Sequence, residues 1–154
     1  MPSSEGNNEI SALVSDFAET PGHLIRRAYQ AHTQLWAEVV PVDITGTQYV
    51  ILCALAVHGD LDQASVGRLT SLDRSRGAAL AGRLARRGLI QRGRDERDRR
   101  KRVLRITEQG IGALAEAAPH VLQLGQRLLA QLDETEREQF LGYLSLVGDQ
   151  AARA

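Results

Sequence analysis

The side chains best suited to chemistry in this sequence are arginines, and most of them lie in one segment. Of the nineteen basic residues in the 154-residue chain, eighteen are arginine, and fourteen basic residues lie between positions 68 and 105. That segment has only four acidic residues and a net charge of +10, whereas the rest of the chain has a net charge of −10. Arginine donates paired hydrogen bonds to phosphate and to guanine. A basic segment on an acidic body is typical of a nucleic-acid-binding module, and the alternative is a solvated, salt-bridged surface.

No other set of residues has the spacing of an active site or a metal site. The sequence has no recognisable nucleophile–base pair, and the run Gly110–Gly112 lacks the third glycine and the preceding strand of a phosphate-binding loop. One cysteine cannot form an internal disulfide, and four histidines with one cysteine are a poor framework for zinc. We therefore predict a protein that is not an enzyme and needs no metal or cofactor.

Length and hydropathy predict a single packed domain. Hydrophobic residues make up 43% of the chain, which is enough for a core. The longest apolar run, Tyr49 to Val57, is about half the length that spans a bilayer. The first eight residues are polar and lack the pattern of a signal peptide. We therefore expect a soluble cytoplasmic protein without a membrane span.

The N-terminal part is predicted to be helical after a loose tail at residues 1–8. Helical signals begin near Glu9, and Pro21-Gly22 either interrupts that helix or opens a second one. From His23 to Pro41, which ends the helix, apolar residues follow the spacing of an amphipathic helix. This stripe consists of Ile25, Ala28, Leu35, Trp36 and Val39.

The middle of the chain predicts a helix-turn-helix. Thr45 or Thr47 caps one helix, and Asp62 caps a short one after it. After a tight turn, Asp73 is the N-cap of a further helix that ends at Gly88. Two short helices in tandem, joined by a tight turn, are the helix-turn-helix arrangement.

A β-hairpin and two helices are predicted to complete the chain. Residues 89–92 and 102–106 alternate as strands on either side of a charged loop at 93–101. A hairpin directly after the second helix of a helix-turn-helix is a wing. Thr107 caps the next helix, in which Pro119 is expected to cause a kink or a break. The run Asp133–Glu136 resembles a capping box and begins the last helix, whose apolar stripe is Phe140, Leu144 and Val147.

Two motifs resemble those of a known family. The run Asp95–Arg100 (Asp-Glu-Arg-Asp-Arg-Arg) is similar to the D-x-R-D-x-R wing signature of the MarR family, and Leu104–Gly110 is similar to the L-T-x-x-G helix start that follows it. The second motif is Leu72–Ser75 (Leu-Asp-Arg-Ser), with Arg83–Ile90 closing the recognition helix. Over essentially its whole length, the chain resembles the MarR family of winged helix-turn-helix transcription regulators.

The resemblance implies a mainly α fold with a small β-hairpin wing, in one domain over residues 1–154. Helices at residues 9–40 and 108–152 would form a dimerisation body, and residues 45–107 would form a winged lobe that binds double-stranded operator DNA. A homodimer implies a pseudo-palindromic operator. Relatives usually follow Asp-Arg-Ser with a hydroxyl residue and a β-branched one, whereas this chain has Arg76 and Gly77. The operator sequence therefore does not follow by analogy.

Candidate DNA contacts lie in the recognition helix and in the wing. Arg74, Ser75 and Arg76 occupy the first turn of the helix that would enter the major groove, and Arg76 either reads a base, such as guanine, or contacts phosphate. In the wing, relatives insert the first arginine of D-x-R into the minor groove, which corresponds to Arg97. Asp95 and Asp98 are expected to hold Arg97 and Arg100 in place. Other basic residues would face phosphate or solvent, among them Arg94 and Arg99.

The N-terminal helix carries a narrower resemblance, to the MarR subgroup that responds to aromatic carboxylic acids such as protocatechuate and 6-hydroxynicotinate. It rests on the run Pro21–Arg27, then on Gln30–His32 and Leu35-Trp36. The resemblance implies that Arg26 pairs with the ligand carboxylate and that His32 bonds a ring substituent. The secondary wall residues would be His23 and Trp36.

Helix geometry leaves alternatives to these ligand contacts. On an ideal helix Arg26 and His32 point about 120° apart, so they converge only on a ligand at the helix edge or with help from a partner protomer. His32 lies on the apolar stripe, and a role in the core or in an interface is the alternative. For Trp36, a role in the core is the favoured alternative.

We therefore predict a ligand-responsive transcriptional repressor that a small aromatic carboxylate releases from its operator. The alternative from another class is a winged-helix module for protein–protein assembly, which has no need for a net charge of +10. A third interpretation is redox sensing, since some MarR relatives sense peroxide through a cysteine. Cys53 lies in the middle of an apolar helix, where a buried and inert thiol is expected.

Overall fold

The computed structural model describes Ile10 and residues 17–151. The predicted tail at residues 1–8 and the predicted helix start at Glu9 lie outside the described residues. After a 3-10 turn at Phe17–Glu19, the elements in chain order are α1 (Pro21–Val39), α2 (Gly46–His58), α3 (Gln63–Thr70), α4 (Arg74–Arg86), β1 (Ile90–Arg94), β2 (Arg102–Ile106), α5 (Glu108–Leu128) and α6 (Glu134–Ala151). Within residues 17–151, no helix is long and apolar enough to cross a membrane.

The helices begin at the predicted capping residues. The Thr45 hydroxyl accepts the backbone N–H of Gln48 at 3.3 Å, and the Gln48 side chain accepts the N–H of Thr45 at 2.9 Å, so Thr45 caps α2. Asp133 and Glu136 form the same reciprocal pair at the start of α6, with distances of 2.9 and 2.8 Å. Single side-chain caps begin α3, α4 and α5, at Asp62, Asp73 and Thr107. These contacts confirm the predicted helix starts.

Two prolines behave differently because of their positions. Pro21 is the first residue of α1, where a helix does not need the missing N–H, and so it opens the helix. Pro119 lies inside α5, which continues unbroken from Glu108 to Leu128, and the predicted break is wrong. The carbonyl left without its helical partner is that of Ala115, which is exposed and can bond to water.

The core lies where α1, α2 and α5 meet the helix-turn-helix formed by α3 and α4. Its largest fully buried side chains come from α2, α3, α4 and β1: Ile51, Leu52, Leu55, Val66, Leu84 and Ile90. Burial of each contributes about 1.5–3 kcal/mol to folding. α1 adds Trp36, the residue that follows α1 adds a second side chain, Val40, and α5 adds Ala117 and Leu124. The helix-turn-helix is therefore fixed to the N- and C-terminal helices by one continuous core.

The wing is a two-stranded antiparallel hairpin that begins directly after α4. Its register pairs Ile90 with Ile106 and Arg94 with Arg102, so β1 extends two residues beyond the predicted strand. Leu61, just before α3, exchanges two backbone hydrogen bonds with Leu104 of β2, at 3.2 and 2.8 Å. The mainly helical fold with a hairpin wing confirms the predicted fold class.

Two glycines allow α5 to approach the junction between α4 and the wing. Gly88 follows α4 with φ +73°, a left-handed conformation that favours glycine. The Thr107 hydroxyl donates to the Gly88 carbonyl at 2.6 Å. A Cβ on Gly110 would overlap the carbonyl oxygen of Leu89. The glycine of the L-T-x-x-G motif is thus required by close backbone contact.

Candidate nucleic-acid interface and cavity

The N-terminus of α4 presents three exposed polar side chains. The Asp73 carboxylate accepts the backbone N–H of Arg76 at 2.9 Å, which fixes the first turn of the helix. The side chains of Arg74, Ser75 and Arg76 are all exposed on that turn. No described residue bonds either guanidinium group. The first turn of α4 is therefore capped by Asp73, and its two guanidinium groups have no partner among the described residues, as a base-reading helix requires.

Gly77, the departure from the family pattern, is explained by the packing of α4 on α3. It is buried, and a Cβ at this position would lie 3.3 Å from Nε2 of Gln63 and 3.8 Å from Cβ of Leu72. The Gln63 amide nitrogen is buried and lacks a hydrogen-bond partner among the described residues. A side chain at position 77 would have to displace Gln63, so glycine lets the two helices pack closely.

The backbone of the wing tip, residues 94–101, is held by its own carboxylates. Asp95 accepts the N–H groups of Arg97 and Asp98 at 2.8 and 2.9 Å, and Asp98 accepts the N–H of Arg100 at 3.1 Å. The N–H donors of Asp98 and then Arg97 lower the pKa of Asp95. Asp98 also lies 3.5 Å from Nε of Arg100. The predicted role of Asp95 thus needs a correction: it holds the backbone at Arg97 and not the guanidinium group.

The arginine side chains of the tip project into solvent. Arg97 and Arg99 are exposed and make no side-chain hydrogen bond or ion pair to the described residues. Arg94 donates to the carbonyl of Arg99 at 3.4 Å and is also exposed. The tip therefore combines an ordered backbone with guanidinium groups that are available to phosphate or to a groove.

The base of the wing is where Asp60 and Leu61 meet Leu104 and Arg105. The guanidinium of Arg105 donates hydrogen bonds to both carboxylate oxygens of Asp60, with Nε 2.8 Å from Oδ1. This pairing raises the pKa of Arg105. Leu104 is buried and is bonded to Leu61 through the backbone. The base is thus a structural joint between the wing and the turn before α3.

A cavity of about 1050 Å³ lies between α1, the start of α2 and α4. His32 and Trp36 line it from α1, whereas Arg76 and Arg83 line it from α4. This volume is at the upper end of the range for small-molecule sites. The cavity therefore lies between α1, which is predicted to take part in dimerisation, and α4, the predicted recognition helix.

Aromatic rings form the α1 side of this cavity. Tyr29 stacks on His32 with ring centroids 6.3 Å apart, and His32 lies 5.9 Å from Trp36. Trp36 is buried and donates from Nε1 to the carbonyl of Ile44 at 2.7 Å, so it belongs both to the core and to the cavity wall. A Cβ on Gly46 would lie 3.2 Å from Cε1 of His32, so glycine lets the start of α2 approach this wall.

The other two predicted ligand residues lie elsewhere on α1. Arg26 is exposed, and one of its guanidinium nitrogens lies 3.4 Å from Nδ1 of His23. Neither residue lines the cavity. The structure therefore brings His32 and Trp36 together and places Arg26 and His23 together nearer the start of the helix.

Arg83 is a cavity residue that the sequence analysis did not assign. It stands at the i+7 position from Arg76, with Ala79 and Leu80 between them, and all four residues line the cavity. This i, i+3, i+4, i+7 spacing is visible in the sequence. The signal was missed because the arginines of α4 were all considered as DNA contacts or surface charge.

Cys53 lies in the middle of α2, as predicted, and is half-buried. Burial raises the pKa of its thiol, while a hydrogen bond with Tyr49 opposes this shift. Tyr49 packs edge-on against Trp36 with ring centroids 5.7 Å apart. A thiol with a raised pKa is a poor nucleophile at neutral pH, in keeping with the predicted structural role.

Known proteins share this architecture. The profile of the MarR family matches residues 42–101. The chain is 35% identical over 123 residues to the HTH-type transcriptional repressor NicR of Pseudomonas putida, an alignment that covers 79% of this chain and 78% of NicR.

Two solved structures are similar over most of their length. PcaV of Streptomyces coelicolor, solved in complex with its natural ligand, is 39% identical with a TM-score of 0.81, over 87% of this chain and 95% of PcaV. BpsR of Bordetella bronchiseptica, whose DNA binding is regulated by 6-hydroxynicotinic acid, is 32% identical with a TM-score of 0.81, over 86% of this chain and 96% of BpsR. Sequence identity and fold agree, and we conclude that this chain belongs to the MarR family of winged helix-turn-helix transcription regulators.

Proposed function

We propose that this protein is a homodimeric repressor that a small aromatic carboxylate releases from a pseudo-palindromic operator. The observation that carries the proposal is the cavity of about 1050 Å³ between α1 and α4, which joins an aromatic wall to the recognition helix. A ligand held there contacts both the helix body and the DNA-binding lobe. Because the target is chromosomal operator DNA, we place the protein in the cytoplasm.

The relatives support this effector class. NicR is a transcriptional repressor, and 6-hydroxynicotinic acid regulates the DNA binding of BpsR. That effector is a small aromatic acid, the class that the N-terminal resemblance predicts. The aromatic wall of Tyr29, His32 and Trp36 offers ring surfaces for stacking such a molecule. We assign His32 and Trp36 as effector contacts, and we retain Arg26 and His23 as contacts only if a second protomer brings them to the ligand.

DNA binding is assigned to α4 and to the wing tip. In this proposal Arg74, Ser75 and Arg76 enter the major groove, and Arg97 enters the adjacent minor groove. Phosphate contacts come from exposed side chains of the wing, Arg94 and Arg99. The net charge of +10 over residues 68–105 favours this assignment over a winged-helix module that binds only proteins.

Dimerisation is supported by apolar side chains that the single chain leaves exposed. On α6 five large hydrophobic residues within one segment are exposed, namely Leu141, Tyr143, Leu144, Leu146 and Val147. The first half of α1 adds Leu24 and Ile25. Exposed apolar surface on the terminal helices is typical of an interface. We assign it to a second copy of this chain, which sets the two α4 helices about one DNA turn (~34 Å) apart. Light scattering that shows a stable monomer at micromolar concentration would contradict this assignment.

The direct test uses a gel shift with DNA from upstream of the protein's own gene. We expect a specific complex that 4-hydroxybenzoate, 3,4-dihydroxybenzoate or 6-hydroxynicotinate dissociates. Absence of any specific complex would favour the protein-interaction module. A complex that persists with all three acids would contradict the proposed effector class while leaving DNA binding intact.

A further inference from the structure

We infer that Arg137 is a positioning residue for the DNA-binding dimer: it fixes the turn between α5 and α6 and, through the direction of α6, the spacing of the two recognition helices. The inference rests on the proposed function, because it takes a second copy of this chain as the partner of α6. It goes beyond that proposal by naming the side chain that sets the geometry of the dimer.

The first observation is that most of α6 projects from the rest of the chain. Every residue from Leu141 to Gln150 is exposed. Between Glu138 and Gln150, no side chain makes a hydrogen bond or an ion pair with another described residue. The direction of α6 is therefore set by its first two turns and by residues 129–133, which connect it to α5.

The second observation is a pair of hydrogen bonds that Arg137 makes across this connection. Its Nε donates to the carbonyl of Leu132 at 2.9 Å and to the carbonyl of Leu129 at 3.1 Å. Leu129 is the C-cap of α5. Carbonyl groups at the C-terminal end of a helix lack partners within the helix, and a cation is favoured beside them. Arg137 therefore joins the end of α5 to the first turn of α6.

The other contacts of the connection leave this task to Arg137. The reciprocal bonds of Asp133 and Glu136 lie within the start of α6 and do not reach α5. The backbone N–H of Leu132 bonds the Leu129 carbonyl at 3.1 Å, which closes the turn without involving α6. The capping pair thus begins the helix, whereas Arg137 orients it against the end of α5.

The consequence concerns the separation of the two DNA-binding lobes. Ala117 and Leu124 of α5 are buried in the same core as Leu84 of α4, so each lobe keeps its position relative to its own α5. When α6 binds the second copy, the angle between α5 and α6 sets how far apart the two α4 helices lie. A dimer that reads two half-sites needs a fixed separation. Arg137 then acts on operator recognition from outside the lobe.

Two substitutions separate the hydrogen bonds of Arg137 from the bulk of its side chain. Glutamine has an amide nitrogen where arginine has Nε and so keeps a donor for a carbonyl, whereas methionine has a methyl group there. For Arg137→Met we expect a dimer that is weaker by about tenfold in sedimentation equilibrium, because a helix of variable direction loses more freedom on binding. Arg137→Gln should dimerise nearly as the wild type does. The matched control is Glu138→Gln, since Glu138 is exposed and makes no side-chain bond.

Selectivity for half-site spacing is the measurement that a merely structural role would not change. Fluorescence anisotropy, at protein concentrations where each variant is dimeric, compares the operator found in the gel shift with versions that carry one or two additional base pairs between the half-sites. Each added base pair rotates one half-site by about 34° relative to the other. We expect the insertions to weaken binding by about tenfold for the wild type and for Arg137→Gln, and by clearly less for Arg137→Met.

The outcomes separate this inference from the proposed function. If Arg137→Met dimerises and discriminates spacing as the wild type does, the proposed function stands and the positioning role is wrong. A lower melting temperature of Arg137→Met with unchanged spacing selectivity overturns the inference as well, since it shows a contribution to stability alone. An Arg137→Gln variant that loses spacing selectivity contradicts the role of the donor at Nε. If the wild type is a monomer or binds no operator, the proposed function and the inference are both wrong.

Discussion

The base and the tip of the wing use the same residue type for opposite purposes. At the base, Arg105 is paired with Asp60, and the buried Leu104 is hydrogen-bonded to Leu61 through the backbone. At the tip, the carboxylate of Asp95 accepts hydrogen bonds from backbone N–H groups, and the guanidinium of Arg97 has no partner among the described residues. The backbone of the tip therefore has a defined shape, while the Arg97 guanidinium has no partner among the described residues.

This difference gives a physical criterion for sorting the eighteen arginines of the chain. An arginine with a partner is engaged within the fold, as Arg127 is with Glu38 at 3.2 Å and Arg137 is with the carbonyl of Leu132 at 2.9 Å. An exposed arginine on an ordered backbone, without such a partner, is available to a ligand. By this criterion we propose the wing tip and the first turn of α4 as the functional sites for DNA.

The largest expected effect tests the close contact at the joint between the wing and α5. Gly110→Ala should destabilise the protein by about 1–3 kcal/mol, the usual range for overpacking, because the new Cβ overlaps the Leu89 carbonyl. Urea denaturation measures the loss. Gly112→Ala is the matched control, since nothing lies within 4 Å of a Cβ there, and it should stabilise α5 by about 0.5–1 kcal/mol. Equal effects of the two substitutions on stability would show that the contact between Gly110 and the Leu89 carbonyl is not close.

The next effect tests the tip. Arg97→Ala should weaken operator binding by about tenfold and reduce the slope of log affinity against log salt by about one, because one cationic contact is lost. Fluorescence anisotropy at several salt concentrations measures both quantities. Arg127→Ala serves as a control on α5, where the side chain pairs with Glu38, and it should leave the slope unchanged. An unchanged slope for Arg97→Ala would remove this residue from the DNA contact.

A smaller effect tests the base. Arg105→Gln should lower the melting temperature and weaken DNA binding less than Arg97→Ala does, because it removes the tie between β2 and Asp60 and no DNA contact. Asp60→Asn should have a similar thermal effect, since each substitution breaks the same pair. A larger change in salt slope for Arg105→Gln than for Arg97→Ala would reverse the roles of base and tip.

The smallest effect concerns the pH dependence of stability that comes from Asp62, which follows Asp60 and Leu61 in the turn before α3. The N–H and hydroxyl of Ser65 lower the pKa of Asp62, the cap of α3. A lowered pKa means that this stability is fully present above the unfolded value of about 3.9 and is lost as pH falls through the lower folded value. Asp62→Asn keeps a capping oxygen and should flatten this part of the profile, whereas Asp62→Ala should cost about 1 kcal/mol at neutral pH. Thermal melts between neutral and acid pH provide the measurement.

Much of the fold could be predicted because it depends on local chemistry. The caps at Thr45, Asp62 and Asp73 and the existence of the hairpin follow from short-range hydrogen bonding and alternation, which a sequence displays directly. The predicted break at Pro119 is wrong because the cost of this proline depends on whether water reaches the Ala115 carbonyl, which only the packed structure shows.

The site was predicted less completely, because it depends on which helices meet. The aromatic wall was anticipated from α1 alone through His32 and Trp36, but Arg83 became a cavity residue only when α4 was placed opposite. Arg26 is assigned from resemblance alone; it lies beside His23 and outside the cavity lining, and its role as a ligand contact stays a prediction. The spacing of the charged residues likewise does not show that Asp95 accepts hydrogen bonds from backbone N–H groups and not from guanidinium groups.

The central claim is that the cavity between α1 and α4 couples effector binding to operator binding. Its most direct test measures the affinity of 3,4-dihydroxybenzoate or 6-hydroxynicotinate for the free protein and for the protein saturated with operator DNA. The account predicts that the acid binds the DNA complex at least tenfold more weakly than it binds the free protein. Equal affinities in the two states would contradict it, because a ligand that binds both states equally cannot release DNA.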